Sequence, residues 1–144
     1  MLEVTESAIM TDPVRATQLL TRLRDLGIRI AIDDFGAGYT SIGQLKTLPV
    51  AEIKIDRSFV LPTDTDPDSA TIVHSIIDLG HHLGLTVVAE GVETRTALET
   101  LAGYGCDIAQ GYHLSRPMAA DLFLDWYAEH SATRHGSRAG SPTA

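Results

Sequence analysis

The sequence predicts an α/β protein built around a parallel β-sheet. Five short apolar runs alternate with amphipathic stretches along the 144 residues, which is the pattern of repeated βα units. The runs are nearly continuous in apolar residues, as expected for strands that are buried in a parallel sheet. Right-handed crossovers then bring the carboxyl ends of all the strands to the same edge of the sheet.

Each predicted strand is a short, mainly apolar run that ends at a turn residue or a polar side chain. In chain order, the predicted strands are residues 1–5, 28–32, 53–56, 85–89 and 106–109. The second strand stops at Asp33 and Asp34. The fourth strand ends at Glu90, and the fifth ends near Gln110.

The helices are predicted from apolar residues at helical spacing and from terminal signals. They cover residues 12–26, a short segment that ends at 48, and then 70–83, 94–104 and about 119–130. Thr11 or Asp12 can cap the first helix, and Pro13 suits its first turn. Gly27 ends that helix.

Composition describes a globular chain and excludes several classes of protein. Residues 1–130 form the predicted domain, and residues 131–144, rich in Ser, Arg, Gly and Thr, are expected to be a disordered tail. The net charge of −8 disfavours binding to a nucleic acid polymer, and one cysteine excludes a disulfide framework. The sequence has no apolar run of about 18 residues and no basic n-region of a signal peptide. We therefore expect a cytoplasmic protein without a membrane segment.

Acidic residues collect at the predicted carboxyl ends of the strands, where α/β proteins place their ligands. The polar residues at these ends are Glu3, Glu6, Asp33, Asp34, Lys54, Asp56, Glu90, Glu93 and Gln110. One such acid alone is usually a turn or cap residue. The adjacent carboxylates of Asp33 and Asp34 are different, because they repel each other unless a cation is present. Oxygen ligands from several strands suit Mg²⁺ or Mn²⁺ and metal-assisted phosphate chemistry.

The loop after Asp34 carries glycines at positions 36 and 38. A Gly-x-Gly pattern is weak evidence for a phosphate cradle, and its ordinary interpretation is a tight, mobile loop. Directly after two candidate metal ligands, a loop that responds to metal or ligand binding is an equally good interpretation.

Four segments together resemble the EAL-domain family of bacterial phosphodiesterases, which hydrolyse cyclic di-GMP to linear pGpG. The segments are LEVTES, AIDDFGAGYTSIGQLKTLPVAEIKIDRSFV, VVAEGVET and GCDIAQGYHLSRPM. The resemblance covers roughly residues 2–128. It implies a partial TIM-like (β/α)₈ barrel, in which this chain supplies five βα units with the last five strands.

The resemblance also implies roles for individual residues. Catalytic roles fall on Lys54, Asp56 and Glu90, with Lys54 holding the attacking water and steadying charge on the phosphate. Two Mg²⁺ or Mn²⁺ ions are expected on Glu3, Asp33, Asp34, Glu93 and Gln110. Glu6 is expected to anchor a substrate-responsive loop that contains Phe35, Gly36, Gly38 and Tyr39. The expected partner is cyclic di-GMP, and the loop couples the site to a homodimer in the family.

The chain departs from the family pattern in two respects. It contains neither the Glu-Ala-Leu motif nor any asparagine, whereas the family uses that glutamate and an asparagine as upstream metal ligands. We therefore expect a truncated EAL domain that needs the upstream part for phosphodiesterase activity. A catalytically inactive module that binds cyclic di-GMP or a protein, and a fragment without function, are the alternatives.

Overall fold

A parallel five-stranded sheet forms the centre of the protein. The computed structural model describes residues 1–38 and 41–136, with side chains up to residue 128. The strands are β1 (Leu2–Thr5), β2 (Ile30–Phe35), β3 (Glu52–Ile55), β4 (Thr86–Glu90) and β5 (Ile108–Gln110). They are ordered β1-β2-β3-β4-β5, and each pairs in parallel with the next. The predicted α/β class and its parallel strands are confirmed.

Helices follow every strand of this sheet. They are α1 (Glu6–Thr11), α2 (Pro13–Asp25), α3 (Ile42–Leu45), α4 (Arg57–Val60), α5 (Pro67–His82), α6 (Arg95–Gly103) and α7 (Ala120–Gly136). The short helices α1 and α4 were not predicted, because a single turn has no hydrophobic period. Each begins at a side-chain cap: Thr5 accepts a hydrogen bond from the amide of Ala8, and Asp56 accepts one from the amide of Ser58.

Several boundaries differ from the predicted ones. Strand β2 continues through Asp33 and Asp34 to Phe35, so Phe35 is a buried strand residue and not part of the following loop. Helix α5 begins at Pro67 because the side chain of Asp66 caps its first amides. Helix α7 continues to Gly136, so residues 131–136 of the segment expected to be a tail are helical. The rest of that segment lies outside the described residues.

Alternation along the strands separates an apolar face from a polar one. Ile32, Ile53 and Val87 belong to the hydrophobic cluster that the strands form with the helices. Their neighbours Asp33, Lys54 and Glu90 occupy the alternate or carboxyl-terminal positions of the same strands. The helices thus anchor one face of the sheet, and the carboxyl ends of the strands present the polar residues. Within the described part of the chain, no helix is both long and apolar enough to cross a bilayer.

The amino-terminal end of the sheet is joined by the side chain of Asp107. Its Oδ2 atom accepts a hydrogen bond from the amide of Val87 at 2.8 Å and lies 3.0 Å from Nε2 of His81. Burial raises the pKa of Asp107, but these hydrogen bonds outweigh that effect and hold the pKa below its ordinary value. Asp107 therefore connects β4 and α5 to the start of β5.

The substitution Asp107→Asn should lower the free energy of unfolding at pH 7 by about 1 kcal/mol, because it weakens a hydrogen bond to a charged group that is partly exposed. Because the pKa of Asp107 is lowered in the folded protein, its carboxylate stabilises the fold at pH values above the ordinary pKa of 3.8. This contribution is lost as the pH falls through the pKa of the folded state. The difference between variant and parent, measured by urea unfolding, should therefore close below pH 4. The surface variant Asp25→Asn is the control, and an equal effect of both variants would contradict the assignment.

Candidate metal centre

The ammonium group of Lys54 lies among three carboxylates at the carboxyl edge of the sheet. Its Nζ atom is 2.5 Å from Glu90 Oε1, 3.2 Å from Glu3 Oε1 and 3.3 Å from Asp33 Oδ1. The Lys54 side chain is 7% exposed, whereas that of Glu3 is 52% exposed. Residues from β1, β2, β3 and β4 thus meet at one charged centre.

The strand register accounts for this meeting. Lys54 of β3 pairs in register with Val88 of β4, so Glu90 lies two residues further toward the carboxyl edge. Glu3 approaches from β1, on the other side of β2. The long lysine side chain extends toward this edge and reaches all three acids.

An irregularity in β2 brings the two adjacent aspartates to the same site. Between the paired positions Ile32–Ile53 and Phe35–Ile55, β2 contains one more residue than β3, so Asp33 and Asp34 both lie opposite Lys54. Asp34 has a φ of 55°, in the left-handed region that aspartate tolerates better than most residues. A regular strand would direct neighbouring side chains to opposite faces, and the bulge removes that restriction.

This bulge creates a set of oxygen ligands that fits a divalent cation. One carboxylate oxygen from each of Asp33, Asp34 and Glu90 lies within 4.8 Å of the others. Asp33 Oδ1 is buried, and among the described residues it makes no hydrogen bond, although the charge of Lys54 lies 3.3 Å away. Hard oxygen ligands with spare lone pairs are what Mg²⁺ and Mn²⁺ bind. The residues present therefore fit such an ion.

Electrostatic coupling shows how strongly these groups depend on one another. Burial would lower the pKa of Lys54, but hydrogen bonds to Glu90 and Glu3 outweigh it and raise that pKa above its ordinary value. Desolvation raises the pKa of Asp34, and the charges of Asp33 and Asp56 raise it further. The site thus holds a permanently charged lysine and an excess of negative charge.

Asp56 joins the cluster from the first residue after β3. Its negative charge is one of the causes that raise the pKa of Asp34. Its Oδ1 atom also accepts hydrogen bonds from the amide of Ser58, at 2.8 Å, and from the hydroxyl of Ser58. Burial raises the pKa of Asp56, but the hydrogen bonds from Ser58 lower it by more.

Glu6 lies beside the glycine loop, and its role as an anchor of that loop stays a prediction. Its side chain is buried, and Oε2 accepts hydrogen bonds from the amides of Gly36 and Gly38, each at 3.1 Å. A Cβ atom at Gly38 would lie 2.7 Å from Cδ of Glu6, so a larger residue there would displace the carboxylate. Tyr39, predicted for the same loop, lies outside the described residues.

The structure does not bring Glu93 and Gln110 into the contacts around Lys54. Both are exposed and line a cleft of about 170 Å³ beside Glu90, with Arg57 and Tyr112 on its other sides. Gln110 pairs in register with Glu90, so its place at the edge follows from the sheet. The metal-binding roles of Glu93 and Gln110 stay predictions.

A backbone clamp holds the loop that carries Glu93. The amide of Val92 donates to the carbonyl of Gln110, and the carbonyl of Val92 accepts from the amide of His113, both at 3.0 Å. A Cβ atom at Gly111 would lie 2.2 Å from the Val92 carbonyl oxygen, so the two segments touch at a position where a side chain does not fit.

Comparison with known proteins identifies the family. The EAL-domain family model matches residues 1–117. The chain belongs to the EAL-domain family. This agrees with the resemblance seen in the four sequence segments.

Named relatives of this EAL-domain chain act on cyclic di-GMP. It is 48% identical over 124 residues to MucR of Pseudomonas aeruginosa, a bifunctional diguanylate cyclase and cyclic di-GMP phosphodiesterase. The aligned region covers 86% of this chain and 18% of MucR. It is 42% identical over 126 residues to the cyclic di-GMP phosphodiesterase RocR of the same organism, and the aligned region covers 88% of this chain and 32% of RocR. The chain thus spans less than two thirds of the relatives that it matches.

Solved EAL-domain structures share the fold. The MucR phosphodiesterase in complex with c-di-GMP aligns with a TM-score of 0.82 at 48% identity, over 85% of this chain and 50% of that one. The EAL domain of Mycobacterium smegmatis DcpA aligns with a TM-score of 0.80 at 44% identity, over 89% of this chain and 57% of the DcpA chain. The predicted partial TIM-like barrel of an EAL domain is therefore confirmed.

Two residues of this EAL domain that shape the site were missed from the sequence. Ser58 follows Asp56 in an Asp-x-Ser pattern, which is a capping signal that could have located both α4 and this contact. Gly111 carries no such local signal, because its contact with Val92 depends on the packing of two distant segments.

Replacing Lys54 with methionine should destabilise the metal-free chain by about 2 kcal/mol, less than for a fully buried ion pair, because Glu3 is half exposed. The lost ammonium leaves Glu3, Asp33 and Glu90 to repel one another. Urea unfolding in EDTA measures the difference in the free energy of unfolding between the parent and the variant. Added Mn²⁺ should make this difference smaller, because the cation replaces the missing positive charge. Lys46→Met, at an exposed position, is the control. Equal stability of the two variants in EDTA would contradict the model of a charged centre.

The substitution Gly111→Ala should cost about 2–3 kcal/mol through overpacking of the backbone clamp, and it should displace the loop of Glu93. Gly103→Ala is the matched control, since no atom lies within 4 Å of its added Cβ and helix propensity favours alanine by up to about 1 kcal/mol. Thermal unfolding of both variants provides the measurement. Destabilisation by both, or by neither, would show that the clamp is not specific to Gly111.

Proposed function

We propose that this chain carries the catalytic groups of a cyclic di-GMP phosphodiesterase, which hydrolyses cyclic di-GMP to linear pGpG with two Mg²⁺ or Mn²⁺ ions. The observation that supports this most directly is the acidic triad of Asp33, Asp34 and Glu90 beside Lys54. The names of the relatives MucR and RocR support the choice of substrate.

The reaction places distinct demands on these residues. Water attacks phosphorus, one phosphodiester P–O bond breaks, and the departing sugar oxygen takes up a proton. Bound divalent cations supply charge neutralisation and acidify water in reactions of this class. Asp33, Asp34 and Glu90 would hold the cations, together with Glu3 and, at the rim, Glu93 and Gln110.

Lys54 contributes charge and position. Its pKa is raised by Glu90 and Glu3, so it stays protonated and cannot act as the base. We assign it to holding the attacking water and to stabilising negative charge that develops on the phosphate. Proton acceptance from water then falls to a carboxylate, and Glu90 and Asp56 are the candidates because both lie in the cluster around Lys54 and Asp34.

Full activity is proposed to require strands beyond those described. The chain aligns with 50% of the MucR phosphodiesterase, and in the described sheet β1 and β5 each pair with one neighbour. The family's upstream glutamate and asparagine ligands would come from the complementary part of the barrel. We also include the cytoplasmic location and the homodimer expected from the sequence in this proposal.

A chimera tests the proposal. Joining the part of the MucR phosphodiesterase domain that precedes the aligned region to this chain should restore a complete barrel, given the 48% identity of the aligned parts. With Mg²⁺, this chimera should convert cyclic di-GMP to pGpG, and the 144-residue chain alone should not. Glu90→Ala in the chimera should reduce turnover on the order of 10²-fold or more.

Glu99→Ala provides the matched control, since Glu99 is exposed on α6 and pairs with Arg95. Equal turnover by the Glu90 and Glu99 variants would overturn the site assignment. Saturable binding of cyclic di-GMP without hydrolysis by the chimera would favour the alternative of an inactive binding module.

A further inference from the structure

We propose that Asp64 is a positioning residue of the candidate metal centre, because it fixes the loop that presents Glu93 to the cleft beside Glu90. The inference rests on the metal-binding role of Glu93 in the function proposed above, and it adds a residue that lies outside the acidic cluster. A hydrogen bond between two connections that are distant in sequence carries it.

The loop between β4 and α6 is held on both sides of Glu93. Before Glu93, the amide of Val92 donates to the carbonyl of Gln110 at 3.0 Å. After Glu93, the hydroxyl of Thr94 donates to Asp64 Oδ2 at 2.8 Å. The side chain of Glu93 is exposed and lines the cleft, so its direction depends on the backbone that these two hydrogen bonds fix.

The hydroxyl group of Thr94 is hydrogen-bonded in both directions. It donates to Asp64, and it accepts from the amide of Ala97 at 3.0 Å at the start of α6. A hydroxyl group can rotate, so a fixed acceptor for its proton directs a lone pair toward the amide of Ala97. Asp64 therefore sets the orientation of the residue that follows Glu93.

Asp64 lies on a closely hydrogen-bonded turn between α4 and α5. The side chain of Thr63 is buried, and its hydroxyl donates to the carbonyl of Val60 at 2.7 Å. On the other side of Asp64, the amide of Thr65 donates to the carbonyl of Pro62 at 2.9 Å. Because the backbone is held on both sides of Asp64, its carboxylate is a fixed point for the loop of Glu93.

Residues that orient a metal ligand without touching the metal are typically worth about 10–100-fold in metal affinity. We expect Asp64→Ala to weaken Mn²⁺ binding about 10-fold, at the lower end, because the hydrogen bond of Val92 still holds the loop. Asp64→Asn keeps an oxygen acceptor and should bind Mn²⁺ nearly as well as the parent. In a chain that already carries Glu93→Ala, Asp64→Ala should have no further effect, because the ligand on which it acts is gone.

Asp66 offers a matched control in the same turn. Its carboxylate accepts hydrogen bonds from the amides of Asp68, at 3.2 Å, and Ser69, at 3.1 Å, so it caps α5. Loss of a helix cap destabilises a protein, and Asp66→Ala should lower the unfolding temperature at least as much as Asp64→Ala does. An unspecific structural effect therefore predicts weaker Mn²⁺ binding by both alanine variants.

The experiment is calorimetric titration of the 144-residue chain with Mn²⁺ alone. It compares the parent with Asp64→Ala, Asp64→Asn, Asp66→Ala, Glu93→Ala and the double variant that combines Asp64→Ala with Glu93→Ala. Weaker binding by Asp64→Ala, but not by Asp64→Asn or Asp66→Ala, supports the proposal if the effect disappears in the double variant. Binding by Asp64→Ala that equals the parent overturns it, as does a loss that is the same with and without Glu93.

Hydrogen exchange separates this inference from the proposed function. If the parent chain binds no Mn²⁺, that result counts against the metal centre of this chain. The amides of Val92 and Ala97, which are hydrogen-bonded on either side of Glu93, then decide the role of Asp64. Exchange of both amides that is about 5-fold faster in Asp64→Ala, but not in Asp66→Ala, supports positioning of the loop. Exchange at Val92 that is unchanged, or that both variants accelerate equally, overturns it.

Discussion

The carboxyl edge of the sheet depends on the ion pairs of Lys54. Without a cation at that point, carboxylates from three strands would face one another at short range, and their mutual repulsion would oppose the pairing that brings them together. The positive charge of the lysine is buried, whereas the acids are partly solvated and their oxygens stay accessible. That arrangement keeps together a set of acids whose oxygens fit a divalent cation.

The bulge in β2 and the capped start of α4 extend this arrangement. One inserted residue lets Asp33 and Asp34 serve the same site, at the cost of a left-handed backbone at Asp34. Asp56 caps the start of α4, and its charge helps to raise the pKa of Asp34. Local backbone features of a few residues therefore determine which oxygens can share a cation.

Sequence reasoning predicted the parts of this structure that repeat, and missed those that occur once. The five strands and the acids at their ends follow from apolar runs interrupted by Asp33, Lys54 or Glu90, because a parallel sheet sends every carboxyl end to one edge. The bulge could not be predicted, since register is a property of two strands. The clamp between Gly111 and Val92 could not be predicted either, because it depends on how two distant segments pack together. The short helices α1 and α4 were missed because so few residues show no hydrophobic period.

The left-handed backbone at Asp34 also bears on how this family could diverge. Asparagine and glycine adopt that conformation at low cost, whereas β-branched residues do so poorly. The negative charge at position 34 could therefore be lost by exchange for asparagine or glycine without disturbing the backbone of β2. Replacement by valine or isoleucine would instead strain the backbone of β2, because β-branched residues fit the left-handed conformation poorly.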